Sequence, residues 1–278
     1  MREISNLNQL RSDEASNIAF VPTMGALHAG HAKLIERAKG LSSNVLVSAF
    51  VNPLQFGDPK DLEKYPRDPK TDAVVAEKAG AAILWRPEIE EIYPGEVVRI
   101  SAGPLGTLFE GVSRPGHFDG MLTVINRLFT MVHPDWALFG EKDFQQLFLV
   151  RQMVQERGRG IEILSVPTVR DDDGLALSSR NVRLNGEDRS AALVISRALY
   201  NASQALSLDE MYERLDKTLR QEPRFTCDYS AVIDEEKFTL ASERSKAKRA
   251  LVAGWVSGVR LIDNMPLGNR GNQRNQIL

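Results

Sequence analysis

Short apolar runs alternate with segments of helical spacing along the first two thirds of the chain. The runs Asn17–Val21, Asn44–Val51, Ala81–Trp85, Asp135–Phe139 and Ile161–Val166 lack a long polar alternation, as strands buried on both faces do. Between them, Ala29–Leu41, Pro69–Ala79, Phe118–Val132 and Asp143–Arg157 carry helical patterns, the last stopped by Gly158 and Gly160. Strands and helices in this order predict an α/β fold, a doubly wound parallel sheet. Ile89–Pro115 interrupts the order with an expected extra strand at Val97–Ile100 and a glycine- and proline-rich loop, read as an insertion near the site.

The texture then changes. Arg170–Leu184 is a charged, serine-bearing loop, followed by helical patterns at Asp188–Leu206 and Leu208–Gln221 and strands at Phe225–Ile233 and Ala250–Ile262. These predict a smaller C-terminal α+β domain, with domains at 1–180 and 181–278. The polar tail from Gly268 is expected to fray, and no internal repeat is present.

Charge narrows the partners. Lysine plus arginine number 35 against 37 acidic residues, a net charge of −2, so there is no basic excess for a nucleic-acid surface and a small molecule is the expected partner. The single cysteine, Cys227, excludes an intrachain disulfide and a cysteine-rich metal site, fits a reducing compartment, and is expected to be a buried apolar filler. The start, MREISNLNQL, lacks the apolar core of a signal peptide, and no run approaches the roughly 18 apolar residues of a membrane span. A soluble, cytoplasmic protein without a membrane partner is expected.

Ligands of open α/β sheets bind beyond the carboxyl ends of the strands, and four of the five predicted strands end in unusual chemistry. The first leads into MGALHAGH, Met24–His31. His28 and His31, spaced by three at a helix start, would share one face beside free N–H groups that favour an anion, with Gly25 easing the turn and Gly30 letting a ligand approach. The second leads into FVNPLQFG, where Asn52 and Gln55 offer amides to a small polar substrate, although Asn-Pro is also a common turn. Asp58–Asp68 beyond it reads as a flap.

The fourth strand leads into GEKDFQQL, Gly140–Leu147, with Lys142 as a point charge for ATP phosphates, Asp143 as a Mg²⁺ ligand and Gln146 one turn on. A charged helix start explains Glu141 and Asp143 equally well but not Lys142, which sits at the unfavourable end of the dipole. The fifth leads to Val169 and to LSSRN, Leu177–Asn181, whose two hydroxyls and guanidinium suit a polyphosphate, though the composition is also that of an ordinary loop. His117 and Asp119 in RPGHFDGMLT read equally well as a helix start and stay outside the catalytic set. Gly25 and Gly30 have P-loop spacing, yet His31 and Ala32 stand where lysine and serine or threonine belong; no GxGxxG follows the first strand, and no HExxH or paired CxxC appears.

Taken together, VPTMGALHAGH, FVNPLQFG, RPGHFDGMLTV, FGEKDFQQL, VPTVRDDDGLALSSRN and GVRLIDN make the chain resemble the pantothenate synthetase (pantoate–β-alanine ligase) family along nearly its whole length. HxGH alone marks only the wider nucleotidylyltransferase and class I aminoacyl-tRNA synthetase superfamily. The resemblance implies a Rossmann-like ATP domain of that type, a small C-terminal lid and a homodimer. It implies a reaction in which (R)-pantoate and ATP give pantoyl adenylate and pyrophosphate, after which β-alanine attacks the acyl carbon to release pantothenate and AMP.

Residue by residue, it implies that Met24, Gly25, Ala26, Leu27, His28, Ala29, Gly30 and His31 form an ATP loop with His31 as proton donor and His28 as its phosphate-binding companion. Gln55 and Gln146 would hold pantoate, Gln55 also lying near β-alanine. Gly140, Glu141, Lys142 and Asp143 would bind ATP, Lys142 on phosphate and Asp143 near Mg²⁺. Val169 would contact adenine, and Leu177, Ser178, Ser179 and Arg180 would match the synthetases' mobile KMSKS loop. Leu177 stands where many members have Met, and Phe144 where Tyr is common. An unperturbed imidazole titrates near pH 6.5, so His31 beside a bound triphosphate is expected to reach its protonated form, with electrostatic stabilisation outweighing full proton transfer. The rival readings are a nucleotidyltransferase that stops at an adenylylated product and a non-catalytic nucleotide sensor.

Overall fold

The structure is a computed structural model that describes residues 1–10, 14, 16–57 and 59–268. The tail expected to fray beyond Gly268, and Asp58 at the start of the expected flap, lie outside the described residues. Two compact units emerge, Met1–Pro167 and Thr168–Leu278. Residues 168–180, expected with the first domain, therefore group with the second, because Arg170 is bound to Asp263 and Leu175 lies in the second unit's core.

In chain order the first unit contains β1 (Arg2–Ile4), β2 (Ile18–Thr23), α1 (Ala29–Lys39), β3 (Asn44–Ala49), α2 (Pro59–Glu63), α3 (Pro69–Ala79) and β4 (Ile83–Trp85). It continues with α4 (Ile89–Ile92), α5 (Glu110–Ser113), α6 (His117–Val132), β5 (Trp136–Gly140), α7 (Phe144–Glu156) and β6 (Glu162–Val166). The six strands are parallel in the order β1-β4-β3-β2-β5-β6, the doubly wound arrangement expected. The edge strand β1 lies outside the sequence expectation; three residues carry no readable period.

Alternation along the central strands sorts the core into two layers. Ala19, Val21, Val45, Val47 and Leu84 pack with Leu34, Ile35 and Ala38 of α1 and with Ala76 and Ala79 of α3. Phe20 points the other way, meeting Phe129 of α6 edge-on at a centroid distance of 6.4 Å, and Phe129 in turn meets Phe139. The chain winds from β2 to one side of the sheet and from β5 to the other, so the switch point lies between these strands.

The strands part there. β2 pairs with β3 as far as Thr23 but with β5 only at Ala19 and Phe20, while β5 runs on beside β6 to Gly140. Ile18 accepts from Asp135 on the β5 side and Thr23 from Phe50 on the β3 side, so strand alternation turns the nitrogen of Pro22 towards β5. Proline inside a central strand is tolerated because pairing on that side has already ended.

The insertion is irregular rather than stranded. Val97–Ile100, expected as a strand, pairs with no other strand among the described residues; the Ile100 N–H donates instead to Thr123 Oγ1 at 2.9 Å, and the Ala102 N–H to Asp119 at 2.7 Å. Part of the expected flap is the short helix α2, and Asp68 caps α3 by accepting from the Thr71 N–H at 3.1 Å.

The second unit holds α8 (Gly186–Ser203), α9 (Leu208–Leu219), β7 (Phe225–Asp234), β8 (Lys248–Val256) and β9 (Val259–Leu267), the strands antiparallel in that order. Ala250–Ile262, expected as one strand, is parts of two, joined by a two-residue turn. Ser257 and Gly258 both have positive φ, 46° and 77°, the conformation that matches a hairpin to strand twist. Ala191, Ile195, Leu199, Leu215, Val232 and Val252 anchor its core. Cys227 is exposed on β7, not a buried filler. Among the described residues no helix is long and apolar enough to cross a membrane.

Candidate active site

The first constellation sits where β2 gives way to α1. Thr23 Oγ1 ties the strand end to Ser48 O at 2.6 Å and accepts the Gly25 N–H at 3.1 Å, after which the chain turns through positive φ at Gly25 (80°) and Ala26 (51°). A left-handed alanine costs about 1–2 kcal/mol and needs support. Asp72 of α3, 4% exposed, supplies it by accepting the N–H groups of Ala26 (3.2 Å) and Leu27 (2.6 Å). Those two donors, just ahead of the helix start, are thus engaged by a carboxylate inside the protein. A Cβ on Gly25 would come within 2.9 Å of that carboxylate. Desolvation raises the Asp72 pKa, and the two N–H groups oppose the shift. Only the folded contact of α3 with the loop identifies this residue; in the sequence it reads as an ordinary first-turn acid.

His28 is the N-cap of α1, and the two histidines form a reciprocal box. His28 Nδ1 accepts from the Gly30 N–H at 3.1 Å, and His31 Nδ1 accepts from the His28 N–H at 3.3 Å. The rings stand 4.2 Å apart, tilted by 49°. An Nδ1 that accepts a main-chain N–H carries no proton, so both imidazoles are Nε2–H tautomers. A Cβ on Gly30 would meet His28 Cε1 at 2.9 Å, so its bareness also seats the His28 ring.

Burial, foremost, lowers the His31 pKa from 6.5 to about 3; the neighbouring His28 and Lys142 push the same way and Asp143 opposes them. The protonation expected of His31 concerns the triphosphate complex; without a ligand, burial favours its neutral form. That form is a neutral donor through Nε2–H. The same couplings place Lys142 and Asp143, delivered by the turn Glu141–Asp143 after β5, in the electrostatic surroundings of the histidine. Glu141 is turned to β6, accepting from Ser165 Oγ at 3.0 Å.

The turn after β3, which runs parallel beside β2, carries the next candidates. Gln55, 7% exposed, closes the 3-10 turn Pro53–Gln55, and among the described residues its side-chain amide takes no hydrogen-bond partner. A buried amide with unspent donors and acceptors suits a polar ligand. Asn52, expected beside it as a ligand group, is fully buried and works inside the protein. Its Nδ2 donates to Gly120 O at 3.1 Å, and its Oδ1 accepts from Leu54 N at 3.3 Å and from Tyr93 OH at 2.9 Å.

This turn lies on the start of α6. His117 Nδ1 meets Gln55 O at 3.0 Å, and a Cβ on Gly120 would fall 1.9 Å from Leu54 O. The RPGHFDGMLT segment, left without a role by sequence reasoning, is the platform for Gln55. In α7, Gln145 is buried and braces the insertion through Glu110 N, Leu105 O and Leu108 O, while Gln146 is half-buried with its amide unpartnered among the described residues.

The second unit carries the remaining candidates. Val169 O accepts the Leu177 N–H at 2.9 Å, closing a small hairpin, and Ser178 caps the turn Ser179–Arg183 through the Arg180 N–H at 3.2 Å. Arg180 is exposed, and its guanidinium has no ion-pair partner among the described residues.

Comparison with known proteins adds independent findings. A family model described as Pantoate-beta-alanine ligase matches residues 1–266. The pantothenate synthetase of Thermus thermophilus is 46% identical over 272 residues, covering 95% of this chain and 99% of the relative. That of Acidothermus cellulolyticus is 44% identical, covering 96% and 90%. Crystal structures agree: the pantothenate synthetase from Thermus thermophilus has a TM-score of 0.90 at 44% identity, with 95% and 99% of the two chains covered. Francisella tularensis pantoate-beta-alanine ligase, complexed with beta-gamma ATP and beta-alanine, has a TM-score of 0.78 at 35% identity, with 95% and 97% covered.

Proposed function

The chain belongs to the pantoate–β-alanine ligase family, and from that membership we propose how its residues carry the reaction. It condenses (R)-pantoate with β-alanine at the expense of ATP, giving pantothenate, AMP and pyrophosphate through pantoyl adenylate. The observation that carries the assignment of residues is the neutral histidine pair at the start of α1, with Lys142 and Asp143 in its electrostatic surroundings.

In the first step a pantoate carboxylate oxygen bonds to the α-phosphorus while the bond to pyrophosphate breaks. Negative charge grows on the non-bridging and leaving oxygens, and donors fixed in advance stabilise it. His28 and His31 donate through Nε2–H and Lys142 supplies the full positive charge. His31 contributes chiefly by electrostatic stabilisation through that donor rather than by full proton transfer. Gln55 and Gln146 hold pantoate, with Asn52 and His117 shaping the turn behind Gln55. In the second unit, Ser178, Ser179 and Arg180 bind polyphosphate, and Val169 contacts adenine.

Mg²⁺ fits this site as a companion of the nucleotide. Among the described residues no cluster of three or more His, Cys, Asp or Glu is placed to hold a metal, whereas Asp143 offers one exposed carboxylate, and one carboxylate plus phosphate oxygens is a usual donor set. When bound, the ion neutralises phosphate charge and improves pyrophosphate as a leaving group.

In the second step the β-alanine amine attacks the acyl carbon, AMP leaves, and the ammonium proton passes to solvent. We assign no motif residue as its base; holding two reactants together can by itself lower a barrier by roughly 7–11 kcal/mol. We further propose a homodimer, on the resemblance, and a cytoplasmic location, where ATP is abundant and the single exposed Cys227 stays reduced.

Pantoate-dependent exchange of pyrophosphate into ATP, with and without β-alanine, tests the reaction. Exchange requires pantoate and AMP release requires β-alanine. Exchange without AMP release, whether or not β-alanine is present, would mean an enzyme that stops at the adenylate, and no exchange at all would leave a nucleotide sensor.

A further inference from the structure

The second unit contains an ion pair that the reaction does not use. Arg170, at the root of the Val169–Leu177 hairpin, donates from Nη1 to Asp263 Oδ2 at 2.6 Å and from Nη2 to Oδ1 at 3.0 Å. Both side chains are at least nine-tenths buried. The same guanidinium reaches Gly174 O at 3.1 Å, within the hairpin, and Asn264 O at 3.4 Å. Asp263 and Asn264 are the last letters of the GVRLIDN segment, on β9. They are themselves fixed, since Asp263 Oδ1 accepts the Asn264 N–H at 2.7 Å and Asn264 Oδ1 accepts from Arg249 Nη1 at 2.6 Å. Arg189 of α8 holds the hairpin tip through Asp171 and Asp173.

Leu177–Arg180 leaves directly from this frame. Arg170 bridges to Ala176, Leu177 donates to Val169, and beyond the serines Asn181 Nδ2 returns to Ala176 O at 3.0 Å. Both ends of the Ser178–Arg180 segment therefore refer to a hairpin whose root is bolted to β9. A buried ion pair is a weak source of stability, since apolar replacements of similar volume are often neutral or better. Its fork geometry, by contrast, fixes direction.

We propose that Arg170 and Asp263 are positioning residues, which set the orientation in which Ser178, Ser179 and Arg180 meet a polyphosphate. This rests on the reading of that segment as the phosphate-binding loop. GVRLIDN thereby acquires a function at a distance from any reacting atom.

The test compares Arg170→Met/Asp263→Leu, Asp263→Asn and Arg180→Ala in the full-length protein. Thermal melting is measured alongside two half-reactions, pyrophosphate exchange at varied ATP and consumption of supplied pantoyl adenylate by β-alanine. The double variant is expected to melt close to the parent, to lose about tenfold or more in kcat/KM for ATP in exchange, and to stay within about threefold in the second half-reaction. Asp263→Asn, which keeps the shape, shows the same split if the double variant does not fold. A further variant, Arg170→Lys, which keeps the charge without the fork, is expected to show the same loss in exchange. Exchange within about twofold of the parent in the double variant, or in Asp263→Asn where the double variant does not fold, overturns the positioning role if Arg180→Ala is impaired. If Arg180→Ala is itself unimpaired, the phosphate-loop reading fails and the proposal falls with it.

Discussion

The main-chain N–H of His28 donates to Nδ1 of His31 across 3.3 Å, so the ring proposed to stabilise phosphate charge also completes the helix start that carries it. Protonating that nitrogen would cost the bond. Neutrality is thus enforced by the backbone as well as by burial, and it leaves Nε2–H as the working donor.

The cap and the chemistry of His28 can be separated. Asparagine places an acceptor close to Nδ1 and is itself a preferred N-cap, so His28→Asn should keep the parent's urea midpoint, whereas His28→Ala should lose about 0.5–2 kcal/mol. Both lose the Nε2–H and should slow adenylate formation alike. A fully active His28→Asn would confine this histidine to the helix.

His31→Ala and Lys142→Ala each remove a donor aimed at growing phosphate charge, and each should slow adenylate formation by on the order of a hundredfold or more. Single-turnover quenching of pantoyl adenylate measures this step directly. A loss below about threefold would remove the residue from the site.

The His31 pKa also sets a sign for stability. It falls from 6.5 to about 3 on folding, so between these values the unfolded chain binds a proton that the native state refuses. The stability this residue contributes is complete above the unfolded value and is lost as pH falls towards the folded one. Urea midpoints of the parent and His31→Gln should therefore diverge less at pH near 4 than at pH near 7. Imidazole resonances of His31 should show no titration around pH 6.5 in the ligand-free protein.

Asp72 touches no substrate in this scheme, yet it holds Ala26 and Leu27 in place. Asp72→Ala strands two partly or fully buried N–H groups, at about 1–3 kcal/mol each, and releases the left-handed turn at Ala26. ATP-dependent exchange should fall at least tenfold, with Asp72→Asn intermediate because it keeps one acceptor. Equal activity in all three proteins would show the turn to be self-supporting.

Much of the fold is legible in the sequence, for identifiable reasons. Parallel strands buried on both faces announce themselves as apolar runs, and Asp68, Ser207 and Gly80 mark helix ends by local chemistry. The candidate groups His28, His31, Lys142 and Gln55 stand out because they follow those strands. What escapes is set by partners distant in sequence. Gly120 is explained only by Leu54 lying on its Cα, Asp72 only by the loop it braces, and His117 only by the Gln55 carbonyl. Val97–Ile100 misleads because β-branched residues read as a strand when no neighbour exists to pair with. The Ser257–Gly258 turn is present in the sequence but hidden within one apolar stretch.

Pro22 gives the parting of β2 from β5 a chemical guarantee. A central strand whose neighbour has departed is an open zipper, and an N–H at that position would invite the sheet to close one tooth further, filling the crevice with backbone. Proline has no hydrogen to offer there. Past the point where β2 has already left β5, the missing donor gives the sheet nothing on that side by which to extend.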